Sequence, residues 1–188
     1  MVIPAIDLIG GKVVRLYQGR FDQKKCYEIP AEQLAKDFYE QGAKLIHLVD
    51  LEGARLGKPT QKELILNLVK KVPVDFELGG GIRNIEVIRE YLNGGVKRVI
   101  LGTVAQHNPQ LVEQAVKEFP HRIVLGIDAK KGKVAVRGWK EKTGLDPVEL
   151  AKRFNWKELG AIIYTEIERD GTLKGPELKG LKRILEAV

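Results

Sequence analysis

Asp7 and Asp128 are the residues of this chain most plainly placed to move protons. Each is the polar end of a short apolar run, Ile6-Asp7 and Ile127-Asp128, and each is followed by the same triplet, Gly11-Lys12-Val13 and Gly132-Lys133-Val134. Two carboxylates in environments that separate their acidities can act as base and acid on one substrate. Asp50 ends a third apolar run that His47 interrupts, and Thr165 ends a fourth. Each has a second reading: a strand-end Asp also caps the loop or helix that follows, and a lone His in an apolar strand also serves as a hydrogen-bonded core residue.

Two glycine-rich stretches, Leu78-Gly79-Gly80-Gly81-Ile82-Arg83-Asn84 and Leu101-Gly102-Thr103, can bring backbone N–H groups up to a phosphate, or can simply make tight turns. Neither has the Lys-Ser/Thr ending of a P-loop or the full dinucleotide fingerprint. The stretch after Asp7 supplies Arg15, Gln18 and Gly19, and the one after Asp128 supplies Arg137, Gly138 and Trp139. An Arg and a Trp there can clamp an anion and stack on a flat heterocycle, or form a surface ion pair and pack on a rim. No His/Cys/Asp cluster has metal-ligand spacing, and Cys26 has no His near it in sequence, so metal and thiol chemistry find no support.

These residues need a scaffold that delivers them to one end. Apolar runs of buried-strand type lie at Val2 to Asp7, Leu45 to Asp50, Val74 to Leu78, Arg98 to Gly102, Ile123 to Asp128 and Ala161 to Thr165, alternating with helical periodicity. Thr60 with Glu63 reads as a capping box; Asn108 before Pro109 and Asp146 before Pro147 read as helix starts, and Pro176 as a first helical residue. Further helices are expected from about Ala31 to Gln41 and from about Asn84 to Asn93, with Gly42 and Gly94 as C-caps.

Six βα units carrying an internal repeat favour an α/β fold of the (βα)8 TIM-barrel type, with the strand-end polar residues at the face where such barrels build their sites. The second copy of the 121-residue repeat (Asp7 to Asp128) then reads as cut short: 1–188 is one partial barrel domain, 1–121 its first half and 122–188 a truncated second half. Strands one and five lie opposite each other in such a barrel, so Asp7 and Asp128 are expected to face each other across its mouth. The open strands of six units invite pairing with another chain.

Composition narrows the partners. The net charge is +7, but its Lys and Arg are interleaved with acids, which fits a solvated surface and anionic small molecules rather than nucleic acid. No signal-peptide pattern and no apolar stretch of about 20 residues is present, so a cytoplasmic protein without a membrane span is expected.

Taken in order, Ile3-Pro4-Ala5-Ile6-Asp7-Leu8, Val14-Arg15-Leu16 with Gln18-Gly19, His47-Leu48-Val49-Asp50-Leu51, Gly79-Gly80-Gly81-Ile82-Arg83, Gly102-Thr103, Asp128, Arg137-Gly138-Trp139, and Thr165-Glu166-Ile167 with Asp170-Gly171-Thr172 resemble the histidine-biosynthesis isomerases that act on phosphoribosylformimino-aminoimidazole carboxamide ribotide. The resemblance implies an Amadori rearrangement, aminoaldose to aminoketose, of a substrate with a phosphate at each end and no cofactor. It implies Asp7 as the base at ribose C2′ and Asp128 as the acid beside Thr165, with Asp170 a second candidate acid. Arg15, Gln18, Gly19, His47, Asp50, Arg83, Arg137 and Trp139 would contact substrate, and Gly80, Gly81, Gly102 and Thr103 would bind one phosphate. The sister cyclase of the same pathway shares the strand-end acids, but the Arg-Gly-Trp and Thr-Glu-Ile stretches favour the isomerase. A different class of reading is a non-catalytic assembly unit whose open strand edges pair with another chain.

Overall fold

The computed structural model describes residues 2–136, 138–139 and 141–188. In chain order its elements are β1 (Ala5–Ile9), β2 (Lys12–Tyr17), β3 (Arg20–Cys26), α1 (Ala31–Glu40), β4 (Leu45–Asp50), α2 (Leu51–Leu56), α3 (Lys62–Lys71), β5 (Asp75–Gly79), α4 (Ile85–Asn93) and β6 (Arg98–Leu101). There follow α5 (Thr103–His107), α6 (Pro109–Glu118), β7 (Ile123–Lys130), β8 (Lys133–Val136), β9 (Glu141–Lys142), α7 (Pro147–Arg153), β10 (Ala161–Glu166) and α8 (Leu178–Leu185). All six strands expected from the apolar runs are present, and each leads to a helix. This is the βα alternation of the TIM-barrel class. Two compact units divide the chain: one holds the chain up to Arg15 with Lys25–Ile100, the other Leu16–Lys24 with Leu101–Val188.

In the first unit β1, β4, β5 and β6 run parallel in that order, and β2 returns antiparallel on β1. Successive strand residues point to opposite faces. One face therefore collects Ile6, Leu8, Ile46, Leu48, Phe76, Leu78 and Val99, all fully buried, each burial contributing roughly 1.5–3 kcal/mol. The helices that cover such a face are amphipathic: α3 buries Ile65 and Leu68, and α4 buries Ile88, Tyr91 and Leu92. The opposite face carries Asp7, His47, Glu77 and Arg98. At the exposed edge of the helical layer Glu32 of α1 accepts from Lys36 at 2.7 Å and from Lys71 of α3 at 2.8 Å, which holds its carboxyl down to about 2.

Asp50 falls on the helix side of this alternation, and there the structure corrects the expectation that it contacts substrate. Its carboxylate is fully buried and accepts five hydrogen bonds. The donors are the N–H of Gly53 at 2.8 Å, the N–H and hydroxyl of Thr60 at 2.7 Å each, and the N–H and side-chain amide of Gln61 at 3.2 and 3.3 Å. A carboxylate withdrawn from water needs this many donors. The expected capping box of Thr60 and Glu63 does not form for the same reason: Thr60 is spent on Asp50, and α3 starts at Lys62 with Gln61 as an N-cap lacking a side-chain bond. The side-chain oxygen of Gln61 instead accepts from the Gly11 N–H at 2.7 Å, so the one cluster ties the β1–β2 turn to α2 and α3. Gly80, at φ 111°, packs on the Asp50 backbone so closely that any Cβ would overlap the Asp50 carbonyl.

In the second unit β7 pairs parallel with β10 and antiparallel with β8. Ile123, Leu125, Ile127 and Ala129 are fully buried on one face of β7, while Gly126 and Asp128 share the other. Asn108 caps α6 and Asp146 caps α7, each with Pro at the helix start as expected. Pro176 does not begin a helix. Glu177 caps α8 instead, accepting from the N–H groups of Lys179 and Gly180. Hairpins β2–β3 and β8–β9 occupy stretches for which the sequence patterning predicts no strand, and Val13, Val14 and Leu16, like Val134 and Val136, bury their side chains there.

The repeat survives in the hydrogen-bond register. Leu8 pairs with Val13 and Ile9 with Lys12; the same positions 121 residues on, as from Asp7 to Asp128, pair as Ala129 with Val134 and Lys130 with Lys133. Asp7 lies opposite Val49 and Leu8 opposite Asp50, whereas Asp128 lies opposite Thr165 and Ala129 opposite Glu166. The counterpart of Asp50 is therefore Glu166, and Thr165 shares the face of Asp128. Replacing Asp50 by Ala should cost about 3 kcal/mol of unfolding free energy in urea, because several buried donors lose their acceptor, and Asp50→Asn, which keeps one carbonyl oxygen, should cost less.

Candidate active site

The strand alternation that buries Asp50 turns Asp7 the other way. Asp7 stands near the C-terminal end of β1 with its side chain 16% exposed, and the Arg15 guanidinium of β2 approaches its carboxylate at 3.6 Å. The antiparallel return of β2 brings that cation there, since Asp7 pairs with Val14 across the hairpin. A partly exposed carboxylate with a cation beside it can hold an anionic substrate group and take a proton.

His47 lies on the same face, opposite Ala5 of β1 and Glu77 of β5. Its Nδ1 is 2.9 Å from Glu77 Oε1, and Glu77 Oε2 is met by the Arg98 guanidinium of β6. The three residues sit at one register level on three adjacent strands, because Glu77 in turn pairs with Arg98. Sequence reading identified His47 but missed its two supports. The signal was present: Glu77 breaks the run Phe76-Glu77-Leu78 and stands two residues before the glycine turn, as His47 stands two residues before Val49.

The glycines at Gly80 and Gly81 follow β5 at φ 111° and 73°. Their lack of a Cβ is required by the backbones of Asp50 and Lys58 against which they pack, whatever else their N–H groups do. Arg83 lays its guanidinium on Gly57, the left-handed C-cap of α2.

In the second unit Asp128 and Thr165 are register partners on one face. Gln18 donates its backbone N–H to the Asp170 carbonyl at 3.1 Å and its side-chain amide to the Glu168 carbonyl at 2.9 Å, so the 168–171 loop docks on the β2–β3 turn. Gly19 lies under the Trp139 indole, where a Cβ would collide with the ring. Gly102 precedes α5, with its Cα side turned to the Gly126 carbonyl, and Thr103 opens that helix. Asp7 thus belongs to the first unit with Arg15, His47, Gly80, Gly81 and Arg83. Asp128, Thr165, Asp170, Gln18, Gly19, Trp139, Gly102 and Thr103 belong to the second. Arg137 lies outside the described residues. Among the described residues no three His, Cys, Asp or Glu side chains converge as metal ligands, and no helix is long and apolar enough to cross a membrane.

The sequence pattern of the family described as histidine biosynthesis protein matches residues 1–188. Similar curated proteins carry the name 1-(5-phosphoribosyl)-5-((5-phosphoribosylamino)methylideneamino) imidazole-4-carboxamide isomerase. The one from Geobacter sulfurreducens is 51% identical over 189 residues, taking in 100% of this chain and 77% of that protein. That of Geotalea uraniireducens is 52% identical over 189 residues with the same coverage, 100% and 77%. That of Gloeothece citriformis is 49% identical over 187 residues, covering 100% of this chain and 73% of its own length.

The charge balance on the His47 row follows from its partners. Burial by itself would push the Glu77 carboxyl up, but the hydrogen bonds it accepts from His47 and Arg98 outweigh it and hold the group below its ordinary 4.5. A carboxyl held lower in the folded than in the unfolded chain contributes stability that is complete above the unfolded value and is lost as pH falls through the folded one. The stability advantage of the native chain over Glu77→Gln should therefore be level at neutral pH and shrink as pH is lowered below about 4.5, as read by urea unfolding across a pH series.

Proposed function

The chain belongs to the histidine biosynthesis protein family, and from that membership we propose that it is an isomerase converting a ribotide aminoaldose with a phosphate at each end into the corresponding aminoketose. The observation that carries the reading is the duplicated strand end: Asp7 and Asp128 occupy the same place relative to the hairpin that follows each, one residue before the pairs Leu8 with Val13 and Ala129 with Val134. A fold that repeats a carboxylate at that register provides a base and an acid without any cofactor.

In the proposed chemistry Asp128 gives a proton to the ribose ring oxygen as the C1′–O bond breaks, and the nitrogen lone pair forms a C1′=N bond. Asp7 then removes the proton at C2′, whose bonding electrons form C1′=C2′ and return the other pair to nitrogen. Proton transfer to C1′ and loss of the C2′ hydroxyl proton give the ketone, so no electrons enter or leave overall. Support for Asp7 as the base is its partial exposure on the strand face that also carries the Arg15 guanidinium 3.6 Å away, a cation suited to an anionic group of the ribotide. Thr165, opposite Asp128, has a hydroxyl that can donate to that carboxylate once it has lost its proton.

Asp170, whose backbone carbonyl accepts from the Gln18 N–H, is proposed as a second candidate for the acid. The N–H groups after β5 and β6, at Gly80, Gly81, Gly102 and Thr103, are proposed for one phosphate. Arg15, His47, Arg83, Arg137 and Trp139 are proposed for the remainder of the ribotide.

Following the absorbance change of the synthetic ribotide tests the assignment. Asp7→Asn and Asp128→Asn should each lower kcat by about 10²–10⁴-fold while leaving KM within a few-fold of its original value. Turnover that survives both replacements would remove these two carboxylates from the reaction.

A further inference from the structure

We propose that Glu77 and Arg98 are positioning residues that fix His47 in its Nδ1–H form, so that Nε2 is presented to the ribotide as a hydrogen-bond acceptor for a hydroxyl or amide N–H rather than as a phosphate donor. The identity of the ligand rests on the isomerase reading above; the state of the imidazole does not.

The inference follows from what each atom can do. Glu77 is 1% exposed, lies on β5 between two fully buried apolar residues, and divides its two oxygens between two strands. Arg98 cannot be deprotonated and offers only donors, so the oxygen facing it accepts. An ionised carboxylate is an acceptor on its other oxygen too, and the ring nitrogen 2.9 Å away must then be the donor. With Nδ1 carrying the proton, the neutral ring leaves a lone pair on Nε2. The bond also fixes the ring plane, which the remaining neighbours of His47 on β4, Ile46 and Leu48, cannot do because they point to the other face.

His47 is a quarter exposed at its side chain while Glu77 is 2% exposed, so the imidazole is the solvent-side end of the row and Arg98 at 22% is the other. Asp7 shares the face one register level further along β1. An acceptor in that place recognises a neutral donor group of the substrate near the proposed base. A phosphate oxygen, which carries no proton to give, would find no partner at Nε2.

Glu77→Gln reverses the logic while keeping the shape. Arg98 still offers only donors, so the new amide must turn its oxygen to Arg98 and its NH2 to His47. Nδ1 then has to accept, and the proton moves to Nε2. The chain has 3 His residues, so a long-range proton–nitrogen correlation on histidine-labelled protein, with the His47 signals assigned by their loss in His47→Asn, reads the tautomer directly.

We expect Nδ1–H in the native chain and Nε2–H in Glu77→Gln, with the KM for the ribotide raised about tenfold and kcat changed far less, the pattern of lost ground-state binding. Arg98→Lys, which leaves Glu77 a charged donor on its other oxygen, should keep the native tautomer and KM. A native ring that carries a proton on Nε2, as the other tautomer or as the imidazolium, or an unchanged tautomer in Glu77→Gln, overturns the positioning role. A tautomer that switches without any change in KM overturns the substrate contact. A native chain without turnover would count against the isomerase reading alone, since the tautomer is measured with no ligand present.

Discussion

A carboxylate cannot be taken out of water unless donors replace the water, and this constraint organises the first unit. Asp50 and Glu77 stand on adjacent parallel strands and face opposite sides of the sheet, both nearly without solvent contact. Asp50 draws Gly53, Thr60 and Gln61 around itself and so fixes how α2 and α3 leave β4. Glu77 draws His47 and Arg98 together and so fixes a polar row on the face that carries Asp7. The helical layer and the chemical layer are built by one demand met twice. Isolated buried ions would be too costly to keep, and each is tolerated because both of its oxygens meet donors.

Much of this was legible in the sequence, and the boundary of legibility has a physical cause. The six apolar runs became strands because buried parallel strands are nearly continuous in apolar character, and β4 begins and ends at the residues the run predicts. Asn108 and Asp146 were legible because a side-chain cap followed by Pro is a local arrangement, complete within a few residues. Thr60 was misread because its partner, Asp50, is ten residues away and on the preceding strand; the local match with Glu63 competed with a tertiary acceptor and lost. The hairpin strands β2 and β8 were hidden for a similar reason. Their apolar residues bury themselves only once the neighbouring strand is in place.

Register decided the fate of the candidate residues. Asp7 and Asp50 both end apolar runs, yet a one-residue offset in parallel pairing puts Asp50 opposite Leu8 and Val49 opposite Asp7. The pleat then sends the two acids to opposite faces. Glu166 repeats the position of Asp50 with a longer side chain, one oxygen of which accepts from the Tyr164 hydroxyl at 3.2 Å, and Thr165 repeats the position of Val49 with a hydroxyl in place of a methyl. The two copies share the strand-end aspartate and the hairpin pairing behind it, while the residue opposite is apolar in one and polar in the other.

The central claim is that a carboxylate of this chain takes the proton from ribose C2′. Turnover of the ribotide carrying deuterium at C2′ tests it most directly. Abstraction at C2′ makes this reaction slower than that of the protonated ribotide, whereas equal rates for the two ribotides would overturn it.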